Sequence, residues 1–122
     1  MSELGKLYAD NELIVREGDR GEEMFVLQTG KVKITKNTPT GEMTLTTLES
    51  GSIFGEMALF DKTPRSANVI AVGQARVLSI DKKKLFKTIN RDPTLVFKIL
   101  NSLSARVRSL SNEVMALRKN KA

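Results

Sequence analysis

The spacing of hydrophobic residues changes once along this 122-residue chain, near Asp81, and divides the sequence into two kinds of structure. Before Asp81, short β-rich runs are separated by residues that favour turns, among them Gly30 and Gly73. Short runs at even spacing are typical of a small barrel or roll. We therefore predict a mostly β domain, with strands at residues 13–15, 24–27, 31–35, 43–48, 66–72 and 76–80.

After Asp81 the pattern becomes helical. Asp81 can cap a short helix that carries Leu85, and the Asp92-Pro93 pair supplies a cap and a first-turn proline for a second helix. We therefore predict a β-roll with a short helix over residues 1–92 and a long C-terminal helix over residues 93–122. The second helix carries an apolar stripe with alternating intervals of four and three residues: Val96, Leu100, Leu103, Val107, Leu110, Val114 and Leu117.

This apolar stripe is longer than one small domain can cover. About 25 residues at about 1.5 Å each extend about 37 Å. A helix packed only on its own domain accounts for residues 96–103 and leaves the remainder without a partner. Valine alternating with leucine in a seven-residue repeat favours two parallel helices. We therefore expect a homodimer, joined through an outer stripe that consists of Val107, Leu110, Val114 and Leu117.

The composition excludes several kinds of chemistry. The chain has no cysteine and no histidine, which removes disulfides, thiol catalysis and nearly every transition-metal site. The carboxylates of residues 17–23 are most simply solvated charge in a turn, so we expect neither an enzyme nor a cofactor. No apolar run approaches the ~20 residues that span a bilayer. Residues 1–10 are too short and polar for a secretion signal, which favours a cytoplasmic protein with no membrane partner.

The net charge of +6 does not by itself indicate nucleic acid. The basic residues are scattered through the strands and concentrate only at residues 82–84 and near the C-terminus. Neither cluster is interleaved with aromatic residues, so a solvated helix face explains the first and a basic terminus the second.

One segment, residues 51–67, combines the groups needed to hold a small ligand with both an anion and a hydroxyl. Gly55 lets the backbone approach a ligand closely. A helical turn starting at Glu56 would direct free N–H groups toward a phosphate. Arg65 would add a fork of donors matched to phosphate oxygens, while the Glu56 carboxylate would accept a bond from a sugar hydroxyl. A cyclic nucleotide satisfies both requirements.

The motifs Phe-Gly-Glu at residues 54–56 and Pro-Arg-Ser-Ala at residues 64–67 resemble the phosphate-binding cassette of cyclic-nucleotide-binding domains. Glycine turns at residues 18, 30 and 51 fall where that family places the turns of its β-roll, and the likeness runs from Leu13 to about Leu110. The family includes bacterial catabolite activators, cyclic-nucleotide-dependent kinases and gated channels. The resemblance implies an eight-stranded, jelly-roll-like β-roll with a long C-terminal dimerisation helix.

The resemblance also implies a role for each site residue. Arg65 would bind the phosphate and Glu56 the ribose 2′-hydroxyl, whereas Ser66 would support the phosphate or meet the base. A polar residue of the long helix, Ser111 or its neighbour Asn112, would reach the adenine. The candidate ligand-binding residues are Phe54, Gly55, Glu56, Met57, Ala58, Arg65, Ser66, Ser111 and Asn112.

These observations favour a sensor that binds cAMP more readily than cGMP and couples occupancy to the position of the long helix. Two alternatives stay open. The chain could be the sensory half of a transcription regulator, which would contact DNA only if a further domain follows Ala122. It could also be a ligand-free dimerising β-roll, although such a protein has no reason to keep both Glu56 and Arg65.

Overall fold

The computed structural model describes residues 3–60 and 63–120, with side chains as far as Leu117 on the last helix. These residues form six strands, one short 3-10 turn and two helices. In chain order they are β1 Lys6–Tyr8, β2 Leu13–Val15, β3 Met24–Thr38, β4 Gly41–Glu49, β5 Ile53–Phe54, the 3-10 turn Glu56–Leu59, β6 Asn68–Ile80, α1 Lys82–Arg91 and α2 Thr94–Asn120. The strands make one sheet in the order β1-β6-β3-β4, in which β2 also pairs with β6 and β5 with β3.

The expected count of eight strands is not confirmed, because the described residues contain six. The two predicted runs at 24–27 and 31–35 are halves of β3, and those at 66–72 and 76–80 fall largely within β6. β3 and β6 pair antiparallel from Met24 opposite Ile80 to Thr35 opposite Asn68, with register shifts near Thr29. Gly30 and Gly73, predicted to separate strands, thus lie inside β3 and β6. A bulge changes the direction of a strand without ending its pairing.

Successive residues of β3 alternate between two hydrophobic cores, because side chains along a strand point to opposite faces. Phe25 and Leu27 belong to the core inside the roll, together with Val15, Val32, Phe54, Val69, Ala71, Ala75 and Val77. Met24 and Val26 belong to a core beneath the helices. That second core also contains Ile53, Leu59, Leu78, Ile80, Leu85, Leu95 and Ile99. Leu59 therefore packs the 3-10 turn against the helices.

Both predicted helix starts are found. Asp81 is the N-cap of α1, and its side chain accepts a hydrogen bond from the Lys84 backbone N–H at 2.8 Å. Asp92 accepts a bond from the Thr94 backbone N–H at 3.2 Å, just after Pro93 at the start of α2. No helix in the described part of the chain is long and apolar enough to cross a membrane.

The face of α2 that packs on its own domain differs from the predicted stripe. Leu95 and Ile99 are buried, whereas Leu100 of the stripe is 55% exposed. Val96 and Leu103 are only partly buried. The expectation that the domain covers the stripe over residues 96–103 is therefore wrong in register. The buried face of α2 contains Leu95 and Ile99, each of which precedes a residue of the predicted stripe by one position. The outer stripe is exposed along its whole length, with values of 50–67% for Val107, Leu110, Val114 and Leu117.

Candidate functional site

A cavity of about 380 Å³ lies between the roll, the 3-10 turn and α2. Seven of the nine predicted ligand-binding residues line it: Phe54, Gly55, Glu56, Met57, Ala58, Arg65 and Ser66. Its apolar lining comes mainly from Val15, Ile34, Leu48, Ile53, Phe54 and Val69. Its charged and hydroxyl groups come from Glu56, Thr63, Arg65, Ser66, Ser102 and Arg106. An apolar lining with a few charged and hydroxyl groups is typical of sites for small ligands.

Gly55 starts the 3-10 turn in a conformation that suits only glycine well. Its φ is 71° and its ψ is 15°, in the left-handed region. A Cβ at this position would lie 2.8 Å from Nη1 of Arg65 and 3.3 Å from the ring of Phe25. The glycine thus allows the turn and the arginine to approach each other, and the N–H groups that open the turn have no carbonyl of that turn to bond.

Arg65 is held in place by the protein itself. Its guanidinium donates hydrogen bonds to the backbone oxygen of Glu23 at 2.9 Å and to that of Gly55 at 3.3 Å. The guanidinium carbon also lies 5.4 Å from the centre of the Phe25 ring. Burial lowers the pKa of Arg65, while the Glu23 carboxylate raises it. An arginine keeps its proton at neutral pH, so the cavity carries a positive charge at Arg65.

Glu56 connects the 3-10 turn to α2. Its side chain is 1% exposed, and its Oε1 accepts a hydrogen bond from Ser102 Oγ at 3.1 Å. The same oxygen accepts from Nη2 of Arg106 at 3.2 Å. The Arg106 side chain is 49% exposed, so the ion pair joins a buried anion to a half-solvated cation. A buried carboxylate requires such partners, because desolvation otherwise disfavours its charge.

Sequence reasoning missed Ser102 and Arg106, although a signal for them exists. Leu95, Ile99, Ser102 and Arg106 follow one another at intervals of four, three and four residues, which places them on one helix face. That face is buried at Leu95 and Ile99 and becomes polar where it reaches the cavity.

Ser111 and Asn112 lie farther along α2 and are exposed. They are not among the residues that line this cavity within a single chain. Contact of either residue with a base stays a prediction. Ser66 does line the cavity, next to Arg65, which is compatible with both of the roles proposed for its hydroxyl.

Comparison with known proteins places this site in a family. The sequence profile described as the cyclic nucleotide-binding domain matches residues 6–92. The chain belongs to this family. Among solved structures, the catabolite activator protein of Thermus thermophilus matches this cyclic nucleotide-binding domain with a TM-score of 0.79 and 31% identity, over 93% of this chain and 54% of that one. The cAMP-bound form of the EAL enzyme Bd1971 matches with a TM-score of 0.63 and 29% identity, over 93% and 31%.

Curated relatives of the domain include regulators and channels. The CRP-like cAMP-activated global transcriptional regulator of Mycobacterium tuberculosis is 30% identical over 105 residues, which is 85% of this chain and 47% of that protein. The mouse cyclic nucleotide-gated channel beta-3 is 35% identical over 91 residues, which is 72% of this chain and 13% of the channel. The chain thus spans less than half the length of each of these two curated relatives.

Proposed function

We propose that this domain binds cAMP in the 380 Å³ cavity and transmits occupancy to α2 through Glu56. The observation that carries the proposal is the contact of the buried Glu56 carboxylate with Ser102 and Arg106 of α2. The residue proposed to recognise the sugar is therefore the residue that holds the helix.

The anionic end of the ligand would lie at Arg65 and the start of the 3-10 turn. Two of the five guanidinium N–H donors are used by the carbonyls of Glu23 and Gly55, so donors remain for phosphate oxygens. These contacts also fix the side chain before the ligand arrives, which reduces the entropy lost on binding. The backbone N–H groups at Gly55 and Glu56 add neutral donors to the same place.

The ribose 2′-hydroxyl would donate to Glu56. The carboxylate Oε1 already accepts bonds from Ser102 and Arg106, so a third donor has to share this oxygen, displace one of them or use the second oxygen of the carboxylate. Sharing or displacement would change the interaction of α2 with the turn, whereas use of the second oxygen would leave both contacts in place. A ligand that alters this interaction shifts the balance between helix positions, which is how occupancy can leave the domain.

The base would lie against apolar residues of the cavity lining, such as Ile34, Leu48 and Val69. A preference for cAMP over cGMP is supported by relatives that are named for cAMP, including the regulator of M. tuberculosis and the cyclic AMP receptor protein of T. thermophilus. We assign the polar contact to the base to Ser111 or Asn112. Because both lie outside the cavity of one chain, α2 of a second chain is a suitable source.

The outer stripe supports a homodimer. Four large apolar side chains on one side of α2 are at least half exposed, and such surfaces mark sites of association in soluble proteins. Pairing of two α2 helices would cover the stripe and would couple two cavities through the helices that Glu56 contacts. We also propose that the dimer acts in the cytoplasm and does not itself catalyse a reaction.

Titration calorimetry of the chain and of Arg65→Ala with cAMP tests the site. Arg65 would make two charge-assisted bonds, each worth about 1.5–3 kcal/mol, so the variant should bind about two to four decades more weakly. Arg108→Ala is the matched control, because it removes the same charge from an exposed position on α2 and should bind normally. Equal affinity of Arg65→Ala and the unmodified chain would contradict the site.

The role of Glu56 is tested with Glu56→Gln and two ligands, cAMP and 2′-deoxy-cAMP. The variant should lose affinity for cAMP and lose much less for the deoxy ligand, because only cAMP has the hydroxyl that the carboxylate accepts from. Equal losses for the two ligands would mean that Glu56 supports the turn and does not bind the sugar.

A second candidate is that the domain is the sensory part of a transcription regulator. Its support is the match to the M. tuberculosis regulator, in which the matched region is 47% of the protein. DNA contact would then depend on a further domain. Measuring cAMP-dependent DNA binding tests this candidate, and binding by the 122-residue chain alone would contradict it.

A further inference from the structure

The turn at residues 17–23 lies outside the cassette, yet it holds the backbone of Arg65. The Arg65 N–H donates to the oxygen of Asp19 at 2.8 Å, and the Gly18 N–H donates to the oxygen of Arg65 at 2.8 Å. These two bonds hold the backbone of Arg65 against the backbone of the turn. The sequence predicts only solvated carboxylates in this turn. The backbone of the turn, however, is bonded to the backbone of Arg65.

The same segment also holds the side chain. The Glu23 oxygen accepts from Nη2 of Arg65 at 2.9 Å, and the Phe25 ring lies beneath the guanidinium. Phe25 is in turn stacked on Phe54, with ring centres 5.1 Å apart and planes within 16°. The position of the guanidinium is therefore determined by the turn and by two stacked rings, and not by the cassette alone.

Gly21 leaves the space that the guanidinium occupies. A Cβ at residue 21 would lie 2.5 Å from Nη2 of Arg65 and 3.1 Å from both Cζ and Nε. The φ of Gly21 lies outside the left-handed region, so that conformation does not require glycine at this position. The three heavy atoms nearest to such a Cβ all belong to the Arg65 side chain, so an added methyl group would displace that side chain.

We propose that Gly21 is a positioning residue for Arg65, and that the turn sets the guanidinium in its ligand-binding orientation before the nucleotide arrives. This inference rests on the proposed function, because it assumes that Arg65 binds the phosphate. A methyl group at residue 21 would move Nη2 away from the Glu23 oxygen. The two terminal nitrogens of the guanidinium would then no longer face the phosphate together. A bidentate contact depends on that alignment.

Calorimetric titration of Gly21→Ala with cAMP is the direct test. We expect affinity to fall about tenfold to a hundredfold, the loss of roughly one charge-assisted bond. Glu22→Ala is the control from the same turn, since Glu22 is exposed and its replacement adds no atom near Arg65. It should bind within about twofold of the unmodified chain, as expected for an exposed substitution. Normal cAMP affinity in Gly21→Ala would overturn the proposal.

A second background separates positioning from a general effect on the fold. Arg65→Lys keeps the charge and has no planar fork to displace. In that background Gly21→Ala should cause no further loss of cAMP affinity. The same fold-loss in both backgrounds would refute a role through Arg65.

Thermal unfolding without ligand tests the contact between residue 21 and Arg65 whether or not the chain binds cAMP, so a failure of the proposed function and a failure of this contact are distinguishable. Gly21→Ala should lower the melting temperature when Arg65 is present and should not lower it in Arg65→Ala, where the space is vacant. If Gly21→Ala alone fails to fold, recovery of folding in the double variant supports the proposal. Equal destabilisation in both backgrounds, or failure of both to fold, would overturn it.

Discussion

The ion pair between Glu56 and Arg106 should contribute measurably to the free energy of unfolding. Exposed pairs are worth about 0.2–1 kcal/mol, whereas breaking a buried pair costs about 3–5 kcal/mol. Here the carboxylate is 1% exposed and the arginine side chain is 49% exposed. Solvent screens the pair from one side only, so we expect a coupling energy between these limits, about 1–2 kcal/mol.

A double-mutant cycle measures this coupling. Arg106→Met keeps an apolar stem and removes the charge, while Glu56→Gln keeps an oxygen that can accept from Ser102. Unfolding in urea at neutral pH, followed by circular dichroism, gives the free energy of each variant. Arg108→Met is the matched control, because Arg108 donates to the exposed Ser104 and not to Glu56.

Arg106→Met should cost clearly more than Arg108→Met, and the excess should disappear in the Glu56→Gln background. If the cost of Arg106→Met is the same in both backgrounds, the ion pair does not stabilise the domain. The connection between the 3-10 turn and α2 would then depend on Ser102 and on the packing of Leu59.

Three further predictions concern the helices. Replacing Leu110 and Leu117 with lysine should give a folded monomer, because Leu95 and Ile99 still pack on the domain; light scattering that shows a monomer for the unmodified chain would contradict the dimer. Asp81→Ala should lower the free energy of unfolding by about 1 kcal/mol through loss of the N-cap, as measured in urea. The hydrogen bond from the Thr94 side chain lowers the pKa of Asp92 below its ordinary value of 3.8. The ionised Asp92 therefore stabilises the folded state above pH 3.8, and this contribution is lost as the pH falls through the folded-state pKa. Asp92→Asn should remove this part of the acid dependence, and an unchanged acid profile would argue against it.

Local sequence patterns predicted the fold class but not where the strands begin and end. The β-rich runs, the two helix caps and the change of period near Asp81 are all local features, and the structure contains each of them. Whether a glycine ends a strand depends on what pairs with it across the sheet. Gly30 lies at a register shift between β3 and β6, and the two strands pair on both sides of it. Pairing between distant segments therefore lets β3 continue through this glycine.

The candidate site was predictable where residues close in sequence act together. The cassette residues at 54–58 and 65–66 line one cavity, as their spacing suggested. The contacts of Ser102 and Arg106 with Glu56 join residues 46 and 50 positions apart, and no local pattern specifies such a pairing. The space at Gly21 depends on the path of an arginine 44 positions later, which only the folded backbone defines.

The long ladder between β3 and β6 also has a consequence for the order of folding. It joins residues 24–38 to residues 68–80, so the intervening segment, which includes the cassette, is closed as a loop when the two strands meet. Contacts so distant in sequence form slowly, because loop-closure entropy is lost before they are made. We therefore expect the cassette, which is packed against these strands, to acquire its final shape after the central ladder has formed. The amide hydrogens of β3 and β6 should exchange with solvent last, and nucleotide binding should appear only in chains that have completed this step.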